Sequence, residues 1–346
     1  MCLETASGLV VDAPGIAMKS RTFKLAVTGI LASLLFAHSV NAEPVQIQDS
    51  NVGQELSLPV MEWKDDAAAT KAIILGIHGA TLYSGTFDHF ARHLASEGYP
   101  VYALDMRGYG RWQHENDKFG GDSLIHYTQS KEDIAEVLGM LRRIHPHEKI
   151  YCMGESLGSN MALWLLSNKP ELADGAILSS PCIKKALHPS ARMVVDLVKG
   201  YKSPYKPQDL EPHIAPYLSE DPTVTEHYMK DPMIKLRLSA ADLIKSMRTN
   251  SDALKDAEKI PADMPLLVVA GAKDQIYKAD GIKPFMKTTG SQKQTIFISP
   301  DKGHLLLETT HTDPKIMSEI DDWLAKQLVT QPERIVGVPD QQQKSD

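Results

Sequence analysis

Short apolar runs alternate with segments whose apolar residues recur every three or four positions. The runs are Ala72-Ile73-Ile74-Leu75-Gly76-Ile77, Val101-Tyr102-Ala103-Leu104, Lys149-Ile150-Tyr151-Cys152-Met153, Ala176-Ile177-Leu178, Leu266-Leu267-Val268-Val269 and Thr295-Ile296-Phe297-Ile298. They read as buried strands. Between them, Phe87, Phe90, Ala91 and Leu94 fall at helical spacing, with Gly98 as a stop. Ile134, Val137, Leu138, Leu141 and Ile144 mark a second amphipathic helix, and Asn160 to Leu166 reads as a buried one. A last helix begins near Asp313-Pro314, where proline suits the first turn, and buries Ile316, Ile320, Trp323 and Leu324. This rhythm predicts an α/β fold: a mostly parallel, doubly wound sheet covered by helices on both faces. Gln46 to Trp63 is expected to add one or two antiparallel edge strands.

Three regions break the rhythm. At the start, Lys19, Arg21 and Lys24 precede an apolar run from Leu25 to Ala37, followed by Val40-Asn41-Ala42. A basic head, a short apolar middle and a small residue at the end describe a secretory signal peptide over residues 1–42, with Met18 as an alternative start. The run is shorter than the ~20 residues of a spanning helix, although an uncleaved membrane anchor is the competing reading. Export to the periplasm or the medium is the expected outcome. Ile183 to Pro261 interrupts the alternation for too long to be a plain loop. It is rich in proline and holds short amphipathic pieces, one at Met193, Val194, Leu197 and Val198 and another at Ile234, Leu238 and Ala241. Residues 183–261 therefore read as a helical cap inserted into a core made of residues 43–182 and 262–328. The glutamine-rich stretch 329–346 predicts a disordered tail.

Composition narrows the chemistry. Among 346 residues, 42% are hydrophobic and 23% charged, enough apolar material for a large core. The net charge of −7, without a basic block, argues against nucleic acid as a partner. Cys152 lies inside a strand and Cys182 just past the end of the next, several residues apart along the strand axis. That offset exceeds what a disulfide spans, so both are expected to be buried free thiols. No metal- or nucleotide-binding motif is present, so no cofactor is implied.

The chemistry concentrates at Gly154-Glu155-Ser156-Leu157-Gly158, a G-x-S-x-G between a strand and a helix. A turn this sharp strains the serine, and small residues on either side let neighbouring backbone approach. A serine hydroxyl is a weak nucleophile, so it needs a base beside it and a group to orient the base. In a doubly wound sheet such groups gather at the carboxyl ends of strands. Gly271-Ala272-Lys273-Asp274 follows one strand and Pro300-Asp301-Lys302-Gly303-His304 the next. Ser156, Asp274 and His304 are thus the candidate nucleophile, orienting acid and base; Asp280 and Asp301 are the competing acids. The amide of Leu157, at a helix start, and that of Ala80, in the loop His78-Gly79-Ala80, are the candidate oxyanion donors, with Thr81 as the alternative to Ala80. His78 is expected to be structural, Asp105 to pair with Arg107, Asp133 to open a helix, and Glu155 to point away from the serine. Met193, Met229, Met233 and Met247 either line an acyl pocket or form the small core of the cap.

These landmarks, in this order, resemble the lysophospholipase and monoacylglycerol-lipase branch of the α/β-hydrolase superfamily. His78-Gly79-Ala80 with Ser84-Gly85-Thr86-Phe87 resembles its oxyanion loop and first helix. Asp105-Met106-Arg107-Gly108-Tyr109-Gly110 resembles the loop after its next strand, and Asp221-Pro222 with Asp231-Pro232 a paired segment of its cap. The resemblance spans about residues 51–328. It departs at Thr81, where glycine is frequent, and at Arg111-Trp112, where a serine is frequent; Trp112 is expected to narrow the entrance. The resemblance implies a serine esterase acting on acyl esters such as lysophospholipids or monoacylglycerols, with transient contact with a membrane surface and no obligate protein partner. Trp112, Met193 and Met233 are the candidate substrate contacts. A proline-iminopeptidase-like enzyme on the same fold is the nearest rival and would need Glu211 or Glu220 to hold a substrate amine. A non-catalytic or membrane-tethered binding protein is the rival from another class.

Overall fold

The computed structural model describes residues 45–114, 116–186, 200 and 202–329. The expected leader, the piece around Met193 and the tail beyond Val329 lie outside these residues. In chain order the elements are β1 (Gln46–Asp49), α1 (Asn51–Leu56), β2 (Val60–Lys64), β3 (Ala72–Ile77), α2 (Asp88–Ser96), β4 (Val101–Leu104), α3 (Tyr127–Ile144), β5 (Lys149–Glu155), α4 (Leu157–Asn168) and β6 (Ala176–Ser179). There follow β7 (Gln208–Asp209), α5 (Glu211–Leu218), α6 (Pro222–Lys230), β8 (Arg237–Leu238), α7 (Ala240–Asp256), β9 (Pro265–Gly271), α8 (Ile282–Met286), β10 (Lys293–Ser299) and α9 (Pro314–Val329).

Eight strands form one sheet in the order β1-β2-β4-β3-β5-β6-β9-β10. The pairs from β4 through β10 are parallel, whereas β1 with β2 and β2 with β4 are antiparallel, as the edge reading of Gln46 to Trp63 anticipates. From β3 the chain steps to β4 on one side and then to β5 on the other. The order reverses there, and a crevice opens at the carboxyl ends of β3 and β5.

Strand alternation divides the core. Ile73, Leu75 and Ile77 of β3 face one apolar cluster with Ile134, Leu138 and Leu141 of α3 and Leu165 of α4. Ala72 and Ile74 face the other, with Phe90 and Leu94 of α2 and Ile316, Ile320, Trp323 and Leu324 of α9. Burying one such side chain stabilises the fold by about 1.5–3 kcal/mol, which explains why these periodic helices dock.

Between β6 and β9 the described residues carry α5, α6, α7 and the small β7–β8 pair. The spacing of Ile234, Leu238 and Ala241 does not make one helix. Leu238 belongs to β8, and Ser239 starts α7 through a reciprocal capping box with Asp242. Ile234 instead joins Leu218, Val224 and Tyr228 in a third apolar cluster with Leu82 and Leu305. That cluster seats the inserted segment on the loops that follow β3 and β10.

Candidate active site

Ser156 sits between β5 and α4 with φ 54° and ψ −118°, a conformation that L residues avoid. Two glycines permit it. A Cβ on Gly154 would lie 2.3 Å from the carbonyl carbon of Gly158, and one on Gly158 would lie 1.8 Å from the carbonyl oxygen of Ile77. The end of β3, the turn and the first turn of α4 therefore pack backbone against backbone.

The parallel order β5-β6-β9-β10 brings the loops after β9 and β10 to the same rim. His304 Nε2 lies 2.9 Å from Ser156 Oγ, and His304 Nδ1 lies 2.7 Å from Asp274 Oδ2. The other oxygen of Asp274 accepts from the amides of Ile276 and Tyr277 at 2.7 and 2.9 Å, which fixes the carboxylate plane. An ionised carboxylate can only accept, so Nδ1 carries the ring hydrogen and Nε2 is left to accept from the serine. Ser180 Oγ donates to the carbonyl of His304 at 2.7 Å and holds the loop in place. The competing acids stand elsewhere on the surface: Asp280 pairs with Lys184 at 2.8 Å and Asp301 with Lys273 at 3.3 Å.

The loop after β3 is rigidly held. Within it, His78 is fully buried, its Nε2 2.9 Å from the amide of Met106 and its Nδ1 2.7 Å from the carbonyl of Gly79. An amide can only donate and a carbonyl only accept, so the ring is neutral with its hydrogen on Nδ1. Burial pushes its pKa down to about 4, in keeping with that tautomer and with the structural role expected of it. Thr81, in the same loop, has φ 72°, a strained position like that of Ser156. Leu157 is the first residue of α4, so its amide has no acceptor within the helix.

Other expected contacts are placed differently. Trp112 is 8% exposed, donates its indole N–H to the carbonyl of Asp105 at 2.8 Å and lies 4.2 Å under the Arg107 guanidinium. It packs in the core, where its own hydrogen bond and the cation on its face hold it. Asp105 does not pair with Arg107. It accepts from the amides of Ser84 and Arg111 at 2.8 and 2.9 Å, while Arg107 forks onto Asp133, which lies in the second turn of α3, at 2.7 and 2.9 Å. Met233 is half-buried in the loop between α6 and β8, with its amide on Asp231 and its carbonyl on Gln113. Met229 packs on the third cluster, Met247 is exposed, and Met193 lies outside the described residues. A cavity of about 730 Å³ lies beside Asp274, lined by Ala186, Tyr217, Gln275 and Lys278. Asp274 and not Ser156 is among its described lining residues.

Three neighbours of the site take positions that sequence reasoning left open. Cys182 Sγ lies 3.5 Å from Ser156 Oγ, and burial pushes this thiol up to about 11, so it stays protonated. Both Cys152 and Cys182 are free and buried, as expected. Glu155 and Glu308 are fully buried carboxyl groups beneath the site. A charged residue closing the apolar run Leu305-Leu306-Leu307 is the one sequence signal that singles out Glu308.

The model of the serine aminopeptidase S33 family (Hydrolase_4) matches residues 68–310. The chain is 24% identical over 271 residues to a monoacylglycerol lipase of Mycolicibacterium smegmatis, covering 77% of this chain and 92% of that one. It is 23% identical over 270 residues to the monoglyceride lipase of Homo sapiens, covering 78% of this chain and 86% of the human one. Among solved structures, a soluble variant of monoglyceride lipase from Saccharomyces cerevisiae, in complex with a substrate analogue, superimposes with a TM-score of 0.65 at 18% identity, covering 83% of this chain and 96% of the yeast chain. With an elbow serine at the reversal point of the sheet and a family match across most of its length, the chain belongs to the serine aminopeptidase S33 family, in the monoacylglycerol-lipase-like branch of the α/β-hydrolases.

Proposed function

We propose that this chain is a carboxylic ester hydrolase that cleaves monoacylglycerols, lysophospholipids or similar acyl esters through an acyl-enzyme. The observation that carries the reading is the unbroken line from Ser156 Oγ to His304 Nε2 at 2.9 Å and from His304 Nδ1 to Asp274 at 2.7 Å. In this reading His304 takes the proton as Ser156 Oγ attacks the ester carbonyl carbon, and Asp274 stabilises the imidazolium that forms. Negative charge then collects on the former carbonyl oxygen. The amides of Ala80 and Leu157 are the donors assigned to it, each of a kind whose removal costs about 3 kcal/mol of transition-state stabilisation. His304 returns the proton to the departing alcohol, the acyl group stays on Ser156, and water repeats the sequence to release the acid.

The names of the relatives supply the lipid part of this reading. The engagement of Glu220 speaks against the aminopeptidase rival: it accepts from the Gly303 amide at 2.8 Å and pairs with Lys302 at 3.2 Å, so it is not open to a substrate amine. The basic and apolar leader supports export, with residues 1–42 removed.

A fluorophosphonate probe, followed by an ester series of increasing acyl length and an aminoacyl arylamide, tests the proposal on the purified chain. Labelling of the wild type, its loss in Ser156→Ala, and turnover of medium or long acyl esters are expected. An unlabelled wild type would sink the catalytic reading. Turnover confined to acetyl esters would sink the lipid reading, and faster turnover of the arylamide would transfer the chain to the peptidases.

A further inference from the structure

Glu155 and Glu308 lie together beneath the oxyanion loop, and the two differ in what surrounds them. Glu155 collects the Leu306 amide at 2.7 Å, the Leu307 amide at 3.1 Å, the Glu308 amide at 2.6 Å and the Ser179 hydroxyl at 2.7 Å. Burial raises the pKa of Glu155, and the donors on both its oxygens work against that shift by favouring the charged form. Glu308 has one certain donor, the Gly79 amide, 2.7 Å from Oε2. Its Oε1 lies 2.6 Å from Thr86 Oγ1, and that hydroxyl lies 2.6 Å from the carbonyl oxygen of Tyr83 as well.

Thr86 has a single hydroxyl hydrogen, and two short contacts compete for it. The Tyr83 carbonyl can only accept, so the hydrogen belongs there. Two oxygens 2.6 Å apart without a hydrogen between them would repel, so the contact between Oε1 and Thr86 needs a second hydrogen, and Glu308 alone can supply it. The wider surroundings agree. Glu155 faces Glu308 from β5, Gly79, Tyr83 and Thr86 face it from the segment after β3, and Tyr228 of α6 donates its hydroxyl to the Glu308 carbonyl. His304 is the nearby titratable ring. Among the described residues no lysine or arginine pairs with either carboxyl group. Burial and the charge of Glu155 both favour the neutral form of Glu308.

We infer that Glu308 is kept as a neutral carboxylic acid, donating from Oε1 to Thr86 and accepting the Gly79 N–H at Oε2, and that in this form it is a positioning residue for the oxyanion loop. Both polar groups of Gly79 are then clamped, its N–H by Glu308 and its C=O by the His78 ring. The Ala80 N–H shares a peptide plane with the Gly79 C=O, so its direction is set opposite to the bond from His78. A donor fixed in advance needs no reorganisation when charge develops. The inference rests on the role of Ala80 proposed above.

Infrared spectra of the full chain and of Glu308→Gln, with kinetics on p-nitrophenyl butyrate, test it. A protonated-carboxyl C=O band is expected in the wild type at neutral pH and absent from E308Q. The carboxamide offers the same donor and acceptor, so E308Q is expected to keep kcat within a few-fold. Glu308→Ala releases the Gly79 amide, and kcat is expected to fall by about ten- to a hundredfold with little change in KM. No band lost on going to E308Q overturns the neutral acid, as does a loss in E308Q equal to that in E308A. An unchanged kcat in E308A overturns the positioning role. If E308A does not fold, Thr86→Val takes its place, and there too an unchanged kcat overturns that role. Fluorophosphonate labelling of the wild type is scored separately: its absence counts against the catalytic reading and leaves the infrared result standing.

Discussion

At the scale of single residues, the site is where the backbone departs from comfort. Four described non-glycine residues have positive φ, and three of them, Thr81, Ser156 and Ser180, lie in the loops that meet at the candidate site; the fourth, Ser57, ends a helix. Strain persists in such places because the surroundings leave no alternative. Ser156 was legible in the sequence because its two glycines have no other reason to flank a strand and a buried helix. The convergence of Asp274 and His304 on Ser156 was legible from chain order and strand ends. Glu308 was not, because its importance comes from a hydroxyl and an amide more than two hundred residues earlier in the chain. The orientation of His304 yields a sharp expectation. Asp274→Asn can present an N–H where a lone pair is needed and so favours the wrong imidazole tautomer. Its kcat for p-nitrophenyl butyrate should fall by about 10⁴, with folding intact by circular dichroism; a fall of less than tenfold would remove Asp274 from the proposed triad.

At the scale of elements, the periodicity of the long helices of the core was more legible than that of the short pieces between β6 and β9. The spacing in α9 named its buried face because one stripe of a single helix does the burying. Ile234, Leu238 and Ala241 carry the same spacing, yet the chain changes direction between them, since the capping box at Ser239 is a stronger local signal than three apolar residues. The burial of Trp112 could not be read from a departure from the family pattern, because only the contacts with Asp105 and Arg107 draw it inside. Because that box starts α7, Ser239→Ala should cost about 1 kcal/mol, seen as a lower midpoint in urea, while esterase turnover stays near wild type. An unchanged midpoint would mean that tertiary contacts alone define the helix start.

At the scale of the whole molecule, the class of fold could be read from alternation, but the sheet order could not. Nothing local in β3 announces that it pairs with both β4 and β5, although this pairing puts the loop after β3 beside the elbow. Two buried groups near this reversal point act on global stability with opposite sign. The folded-state pKa of His78 is depressed from 6.5 to about 4, so its contribution is present above pH 6.5 and is lost as pH falls toward 4. That of Glu308 is raised above 4.5, so its contribution is present below pH 4.5 and is lost as pH rises. The wild type alone therefore shows a muted pH dependence from these two groups, and paired variants expose them. Between pH 7 and pH 4 the stability gap separating wild type from His78→Asn should narrow by roughly 3 kcal/mol. Over the same range E308Q should gain on wild type as pH rises. Denaturant titrations across pH that run parallel for all three proteins would contradict both assignments.

The inserted segment does more than sit on the sheet. The amide of Lys235 donates to the carbonyl of Thr81 at 2.8 Å, Tyr83 donates to Asp231 at 2.9 Å, and Leu82 packs among the apolar residues of α5 and α6. The segment that a protein engineer would treat as an exchangeable cassette is thereby stitched to the strand-end loop that holds Ala80, the residue proposed to lend an oxyanion amide. Transplanting a relative's insertion without its own counterpart of residues 81–83 would cut these ties and leave the loop after β3 without its outer support.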